Sequence, residues 1–194
     1  MPDNKPDTSP LTPEQQLAMQ TTSKLSEAWL FAAKKHNAQL YPGTDLPYLT
    51  HLGSVVLVLW QGLLAKPTAR ADLALLCAIL HDTIEDTQTS PEELSALFGE
   101  EVKTGVLALS KDPNLSGQAA MIDSLSRIQK CPSEVWMVKL ADRIANLTVP
   151  AAHWSADKRR LYAQEGLLIY RELYPASDFL SLMLKKRISA WLDE

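Results

Sequence analysis

Apolar residues along this chain recur mostly at the spacing of α-helices. Leu and Ala dominate, and alternating β-branched runs are scarce. Apolar positions three or four residues apart predict helices with one buried face. The run from Leu73 to Leu80 is apolar nearly all round and predicts a central, buried helix. We therefore expect an all-α domain of nine or ten helices over residues 13–194, preceded by a disordered polar tail over residues 1–12.

Capping residues and loop-forming residues define the helix ends. Thr12 to Gln15 form a capping box, and Ser90 to Glu93 form a second one. Ser155 is a third N-cap, and Pro42-Gly43 and Asp112 to Asn114 mark loops. The predicted helices cover residues 13–20, 24–37, 49–64, 67–82, 91–98, 100–109, 119–128, 131–147, 156–173 and 178–191.

The charge balance and the composition exclude several classes of protein. Nineteen basic and 23 acidic side chains give a formal net charge of −4, which argues against a nucleic-acid-binding surface. A small anionic ligand is compatible with this charge because a pocket can be locally positive. No apolar run reaches the roughly 18 residues that span a bilayer, and residues 1–10 lack the apolar core of a signal peptide. We expect a cytoplasmic protein that binds neither nucleic acid nor membranes.

Three carboxylates and a histidine follow the buried helix, in the order His81, Asp82, Thr83, Ile84, Glu85, Asp86. Carboxylates at a helix C-terminus oppose the helix dipole and repel one another, and a bound cation relieves both effects. In a continuous helix, residues four positions apart share a face. One pair of side chains can therefore bind a metal while the pair one turn later meets water or substrate.

Two further residues complete a set of metal ligands. His51 lies just inside a predicted helix start, and Asp142 interrupts an apolar helical stripe. A buried carboxylate needs a partner, so Asp142 pairs with Lys139 or Arg143, or it binds a metal. Two imidazoles and two carboxylates suit Mn²⁺, Fe²⁺, Co²⁺ or Zn²⁺, and the absence of a thiolate argues against a structural zinc site. The predicted ligands are His51, His81, Asp82 and Asp142.

The order of these motifs resembles the hydrolase domain of the RelA/SpoT homologues. The resemblance covers about residues 22–175. It rests on His51, on the run from His81 to Asp86, on Leu140-Ala141-Asp142-Arg143-Ile144-Ala145-Asn146, and on Trp154-Ser155. The stand-alone form of this domain is the small alarmone hydrolase, or Mesh-type pyrophosphohydrolase. The resemblance implies an HD-type helical bundle, one Mn²⁺, and removal of the 3′-pyrophosphate from guanosine tetra- or pentaphosphate.

The resemblance also implies roles for individual residues. Glu85 and Asp86 match the acidic pair that positions or activates the attacking water. Asn146 matches a nucleoside-contacting position, and Tyr162 and Lys158 fall where the family contacts its nucleotide. Four basic residues are candidates for neutralising the pyrophosphate, with a solvated surface charge as the alternative for each: Lys139, Arg143, Lys158 and Arg159.

Three positions depart from the family pattern. The loop before the first histidine usually carries a basic pair, and here it is Leu40-Tyr41-Pro42-Gly43. Tyr41 offers a ring for stacking on a base but brings no charge. Position 145 is Ala where the family commonly has His or Tyr, and Ser110-Lys111 replaces the commoner Thr-Lys. These departures leave guanosine, adenosine and other nucleotides open as substrates.

Two other functions and several structural assignments follow from the sequence. The alternatives are an HD-type nucleotidase acting on nucleoside monophosphates and a degenerate module that binds an alarmone without turnover. We expect Trp191 in the core or at an interface, Trp154 as the anchor of a helix start, and His36 at the surface or at a helix end. The sequence does not decide whether the chain forms a homo-oligomer.

Overall fold

The computed structural model describes residues 10–148 and 154–193, and this part of the chain is helical. A single isolated β-bridge, between Leu40 and Pro47, accompanies the helices within these two ranges. The helices are α1 (Pro13–Lys35), α2 (Leu49–Ala65), α3 (Ala71–Leu80), α4 (Thr83–Asp86), α5 (Pro91–Phe98), α6 (Glu100–Leu109), α7 (Gly117–Ile128), α8 (Ser133–Asn146), α9 (Ala156–Leu173), a 3₁₀ turn (Tyr174–Ala176) and α10 (Asp178–Asp193). The predicted all-α class is confirmed.

The predicted tail and domain boundary remain predictions. Residues 1–9 of the tail lie outside the described residues, and residues 10–12 are exposed and non-helical. Thr12 caps α1, accepting from the Gln15 backbone N–H through Oγ1, while the Gln15 side chain accepts from the Thr12 N–H. Among the described residues, no helix has the length and apolarity needed to cross a membrane.

Helix α1 is a single helix, so the predicted break between residues 20 and 24 is wrong. The hydroxyls of Thr22 and Ser26 each donate to a carbonyl one turn back, Ala18 O and Thr22 O, at 2.9 Å. Hydroxyl residues favour turns because they compete for backbone groups, but bonds to the i−4 carbonyl are compatible with a helix. The helix therefore continues through this polar stretch.

The predicted continuous helix over residues 67–82 is also wrong at both ends. Helix α3 begins at Ala71 and ends at Leu80, and α4 is a separate short helix. The Thr83 hydroxyl donates to Leu80 O at 2.7 Å, and Asp82 has φ −98° and ψ −2°. Helix α4 is closed by the bond from Asp86 N to Asp82 O, its N-cap residue, at 2.8 Å. After the break, Glu85 and Asp86 are exposed, whereas most of α3 is buried.

Helices α2, α3 and α8 pack pairwise against one another at the centre of the protein. Helix α3 is buried along most of its length, as its apolar pattern predicts. A fully buried Leu such as Leu80 contributes about 1.5–3 kcal/mol relative to exposure. Each of these three helices carries or immediately precedes a predicted ligand: His51 on α2, His81 after α3 and Asp142 on α8. Their packing therefore decides the geometry of the site.

Candidate active site

The four predicted metal ligands lie together. The ligand atoms of His51, His81 and Asp142 all lie within 4.8 Å of one another. The two imidazole Nε2 atoms are 3.3 Å apart, and Asp142 Oδ1 is 3.5 Å from His51 Nε2. Asp82 Oδ2 joins them at 2.8 Å from His81 Nε2 and 3.4 Å from His51 Nε2. Three packed helices thus direct two nitrogen and two oxygen donors at one point.

The orientation of the two histidine rings is compatible with a divalent cation bound through their Nε2 atoms. His81 Nδ1 lies 2.9 Å from Ala78 O, so the ring donates a hydrogen bond from Nδ1, and Nε2, once it has lost its proton, offers the lone pair that a metal requires. His51 also presents Nε2 to the cluster, and its Nδ1 is buried with no hydrogen-bond partner among the described residues. Imidazole and carboxylate ligands without a thiolate suit Mn²⁺, Fe²⁺, Co²⁺ and Zn²⁺.

The cluster shifts the pKa values of its members in opposite directions. Burial alone would raise the pKa of Asp142, but Lys139, His81 and His51 outweigh it and hold that pKa below its ordinary value. Burial has the same effect on Asp82, and the two imidazoles hold its pKa well below the ordinary range. Burial lowers the pKa of His81, but Asp82 and Asp142 raise it overall to about 9. Both carboxylates are therefore ionised at neutral pH.

Neighbouring side chains orient the two carboxylates. Tyr48 Oη donates to Asp82 Oδ2 at 2.6 Å. Asn146 Nδ2 donates to Asp142 Oδ1 at 2.6 Å, and Lys139 Nζ donates to Asp142 Oδ2 at 3.1 Å. Lys139 is thus the charge partner of Asp142 that the sequence offered as an alternative to a metal. Since Lys139 uses Oδ2 while Oδ1 faces the imidazoles, the structure accommodates both partners.

The ligand cluster opens onto a cavity of about 300 Å³. His81, Lys158 and Arg159 are absent from its lining, and the Lys158 ammonium lies 4.1 Å from the centroid of the Trp154 ring, which does line it. The cavity therefore brings together the other residues predicted for the site. It is lined by Tyr41, Pro42, Tyr48, His51, Asp82, Glu85, Asp86, Lys111, Lys139, Asp142, Arg143, Asn146, Trp154, Tyr162 and Trp191.

The acidic pair after the ligand Asp82 is held from two sides. Glu85 Oε2 accepts from the backbone N–H of Lys111 at 2.8 Å, and Lys111 Nζ lies 3.8 Å from Glu85 Oε1. Asp86 Oδ2 accepts from Gln39 Nε2 at 3.2 Å. Both acidic residues are exposed and line the cavity. Carboxylates placed in this way can accept a proton from water or orient it.

The Arg143 side chain is buried and does not extend into solvent. Its side chain donates to Tyr162 O at 3.2 Å and to Glu165 Oε2 at 3.1 Å. The guanidinium lies 3.9 Å from the centroid of the Tyr162 ring, and the residue is only 3% exposed. Its buried Nε has no hydrogen-bond partner within the described part of the chain. Arg143 therefore joins α8 to α9 while lining the cavity.

Several cavity residues were not identified from the sequence. Trp191 is buried, as predicted, but it also lines the cavity, and its indole N–H donates to Arg159 O at 3.3 Å. Its helical spacing indicated only a position in the core or at an interface. Tyr48 lies three residues before His51, so a search for hydrogen-bond donors one turn from the ligands would have found it. Lys111 was noted in the sequence but not assigned to the site.

His36 lies at the C-terminal end of α1, one of the two predicted positions, but it is buried rather than at the surface. Its side chain is buried, with 4% of the residue exposed. The ring stacks on Tyr48 with centroids 4.7 Å apart and an interplanar angle of 18°. A histidine at a helix end is commonly solvated, but here the backbone turns at Ala38, which has φ +66°, and the Tyr48 ring covers one face of the imidazole.

An all-helical bundle that gathers two histidines and two aspartates at one cavity defines the class of HD-domain proteins. The chain belongs to this family, because the family model described as HD domain matches residues 28–177. The matched region contains all four candidate ligands and the acidic pair. The site geometry and the family assignment therefore agree.

Similar proteins fall into two groups by length. The GTP pyrophosphokinase rsh of Brucella ovis is 34% identical over 155 residues, which are 77% of this chain but 20% of that protein. This chain therefore spans about a fifth of the length of that relative. The guanosine-3′,5′-bis(diphosphate) 3′-pyrophosphohydrolase MESH1 of Danio rerio is 30% identical over 148 residues, covering 73% of this chain and 79% of that protein.

A solved structure supports the same relationship. It is described as a metazoan orthologue of SpoT that hydrolyses ppGpp and plays a role in starvation responses. It superposes with a TM-score of 0.74 and 27% identity, and the match covers 87% of this chain and 95% of that one. The fold is therefore shared along most of both chains.

Proposed function

We propose that this chain is a metal-dependent pyrophosphohydrolase that removes the 3′-pyrophosphate from guanosine 3′,5′-bis(diphosphate) or a related nucleotide. In this reaction a water oxygen bonds to phosphorus, and the bond from that phosphorus to the 3′ oxygen breaks. The products are a nucleoside 3′-hydroxyl and free pyrophosphate. One observation carries the proposal: three of the four clustered ligands, His51, Asp82 and Asp142, line the same cavity as the Glu85–Asp86 pair, and His81 lies directly behind Asp82 at 2.8 Å. The activity named for the Danio rerio relative supports the choice of substrate.

We assign His51, His81, Asp82 and Asp142 to a single divalent cation, with Mn²⁺ as the proposed ion and Co²⁺, Fe²⁺ or Zn²⁺ as alternatives. When bound, such a cation polarises phosphate oxygens and lowers the pKa of water. The His81–Ala78 bond supports this assignment because it fixes the tautomer. Tyr48 and Asn146 support it by orienting the two carboxylates.

Glu85 and Asp86 orient the attacking water and accept its proton in this proposal. Their support is geometric, because each carboxylate faces the cavity and each is held by an N–H donor from a separate segment. The Lys111 ammonium adds positive charge beside Glu85. The hydrogen bonds therefore fix the orientation of both carboxylates, and both remain accessible to water.

The remaining cavity residues are proposed to bind the nucleotide. Tyr41, Asn146 and Tyr162 supply ring faces and an amide for the nucleoside, and aromatic side chains stack readily on bases. Lys139 and Arg143 already pair with carboxylates. We therefore propose that they add positive electrostatic potential at the cavity wall and do not pair directly with phosphate. Lys158 stands over the Trp154 ring and is assigned to a phosphate.

A turnover assay with purified protein and Mn²⁺ tests the proposal. The substrates are guanosine and adenosine 3′-pyrophosphates and a reduced nicotinamide cofactor phosphate, and the assay measures released pyrophosphate and orthophosphate separately. We expect pyrophosphate from one of the 3′-pyrophosphates. Release of orthophosphate from nucleoside monophosphates instead supports a nucleotidase. Tight nucleotide binding without turnover supports a binding module, which the missing basic pair in the 40–43 loop favours.

Single substitutions connect turnover to the metal. Asp82→Ala and Asp142→Ala each remove one oxygen donor, so both are expected to abolish hydrolysis and Mn²⁺ binding together. Asp123→Ala is the matched control, because Asp123 pairs with Arg127 and does not line the cavity. A fully active Asp82→Ala protein contradicts the proposal.

A further inference from the structure

The side-chain amide of Gln39 lies between the His36 ring and the Asp86 carboxylate. His36 Nδ1 is 2.8 Å from Gln39 Oε1, and Gln39 Nε2 is 3.2 Å from Asp86 Oδ2. We propose that His36 and Gln39 are positioning residues that hold the Asp86 carboxylate for hydrolysis. This inference rests on the proposed function, in which Asp86 acts on the attacking water.

The chemistry of the three groups fixes the direction of both hydrogen bonds. An ionised carboxylate only accepts hydrogen bonds, so Gln39 must present its NH₂ group to Asp86. The amide carbonyl then faces His36, which must donate from Nδ1. A histidine protonated at Nε2 alone would turn the amide round and point its oxygen at the carboxylate. The His36 tautomer therefore determines whether the NH₂ group or the carbonyl oxygen of Gln39 faces Asp86.

The surrounding structure holds both positioning residues in place. His36 is buried and stacks on Tyr48. The Gln39 N–H donates to His36 O at 3.0 Å, and Gln39 O accepts from the Tyr48 N–H at 2.9 Å. Between the two residues, Ala38 adopts a left-handed conformation with φ +66°. A tight turn with fixed ends lets Gln39 reach Asp86 with little loss of side-chain freedom.

Gln39 and Lys111 secure the two acidic residues independently. Lys111 holds Glu85 from the start of the loop after α6, whereas Gln39 holds Asp86 from the turn after α1. Asp86 is exposed, so its carboxylate can rotate in water once the Gln39 amide is removed. If a hydrogen bond to a charged group stabilises the transition state of the chemical step, removing that bond lowers the rate about tenfold to a hundredfold.

Gln39→Met is the main test, because it keeps the length of the side chain and removes the amide. We expect kcat to fall about tenfold to a hundredfold, with KM changed less than about threefold. Mn²⁺ affinity should stay at the wild-type value because Gln39 contacts none of the four ligands. An unchanged kcat overturns the proposal. A fall in Mn²⁺ affinity that accounts for the lost rate also overturns it.

Two further comparisons separate positioning from a general structural role. His36→Asn keeps an N–H donor facing Gln39, and His36→Leu removes it, so kcat should recover in His36→Asn relative to His36→Leu. In an Asp86→Asn background, Gln39→Met should cost little further activity, because Gln39 acts through the carboxylate. Equal losses in both His36 variants, or full additivity with Asp86→Asn, contradict the proposal.

One readout does not depend on turnover. Long-range ¹H–¹⁵N spectra of the wild-type protein should show His36 protonated at Nδ1, and that signal should change in Gln39→Met. A His36 protonated only at Nε2 overturns the proposal whatever the activity. A protein that hydrolyses none of the nucleotides tested but has a proton on His36 Nδ1 contradicts the proposed function and leaves the arrangement of His36 and Gln39 in place.

Discussion

Substitution of Tyr48 by Phe isolates one hydrogen bond to a candidate metal ligand. The Tyr48 hydroxyl donates to Asp82 at 2.6 Å and is buried. Burial, followed by the charge of Asp82, raises the pKa of Tyr48, so the phenol remains a donor at physiological pH. A hydrogen bond to a charged group contributes about 1.5–3 kcal/mol. Phe retains the ring that stacks on His36, so the change in free energy on substitution reports the loss of the hydroxyl hydrogen bond.

Two measurements on Tyr48→Phe test this reasoning. Urea denaturation of the metal-free protein should show a free energy of unfolding lowered by about 1.5–3 kcal/mol. Calorimetric titration should show Mn²⁺ binding weakened about tenfold to a hundredfold, because residues behind a metal ligand orient it.

Tyr41→Phe is the matched control for Tyr48→Phe. The Tyr41 hydroxyl lies 3.4 Å from Asn146 Oδ1, near the outer limit of a hydrogen bond. We therefore expect a change of less than about 1 kcal/mol in unfolding free energy and nearly unchanged Mn²⁺ binding. Equal effects of the two substitutions in both assays would refute the role assigned to Tyr48.

Three other predictions concern the backbone, a partly buried ion pair and pH. Ala38→Gly should raise the free energy of unfolding in urea by about 0.5–1 kcal/mol, since glycine adopts φ +66° without strain; a loss of stability contradicts this. Glu165→Met should destabilise the protein by about 1–3 kcal/mol, and by more than Arg143→Met, because it leaves a buried guanidinium without its partly exposed carboxylate partner; the reverse order of denaturation midpoints is the contrary result. Mn²⁺ affinity should rise with pH up to about 9, because the pKa of His81 is about 9 and its Nε2 must lose a proton to bind a metal. Calorimetry in buffers of different ionisation enthalpy should detect proton release on Mn²⁺ binding at pH 7. Mn²⁺ binding without proton release contradicts the prediction.

The sequence by itself determined the helical class, most helix ends and the identity of the candidate ligands. These features are encoded over short distances, because helical periodicity and capping depend on residues three or four positions apart. Thr12, Ser90 and Ser155 each cap a helix as predicted. The candidate ligands were identifiable because a histidine and several carboxylates beside an apolar helix demand a partner, whatever the final packing.

Only the tertiary structure decided which partner each buried charge has. Lys139 pairs with Asp142, whereas Arg143, one residue beyond Asp142, turns away to Glu165 on α9. The sequence could not distinguish these cations, because their partners depend on the packing of α8 against its neighbours. Tertiary contacts also bury His36 against Tyr48 and place Trp191 in the cavity wall. Contacts such as Tyr41 to Asn146 join residues far apart in sequence, so they exist only once the helices have found their relative positions.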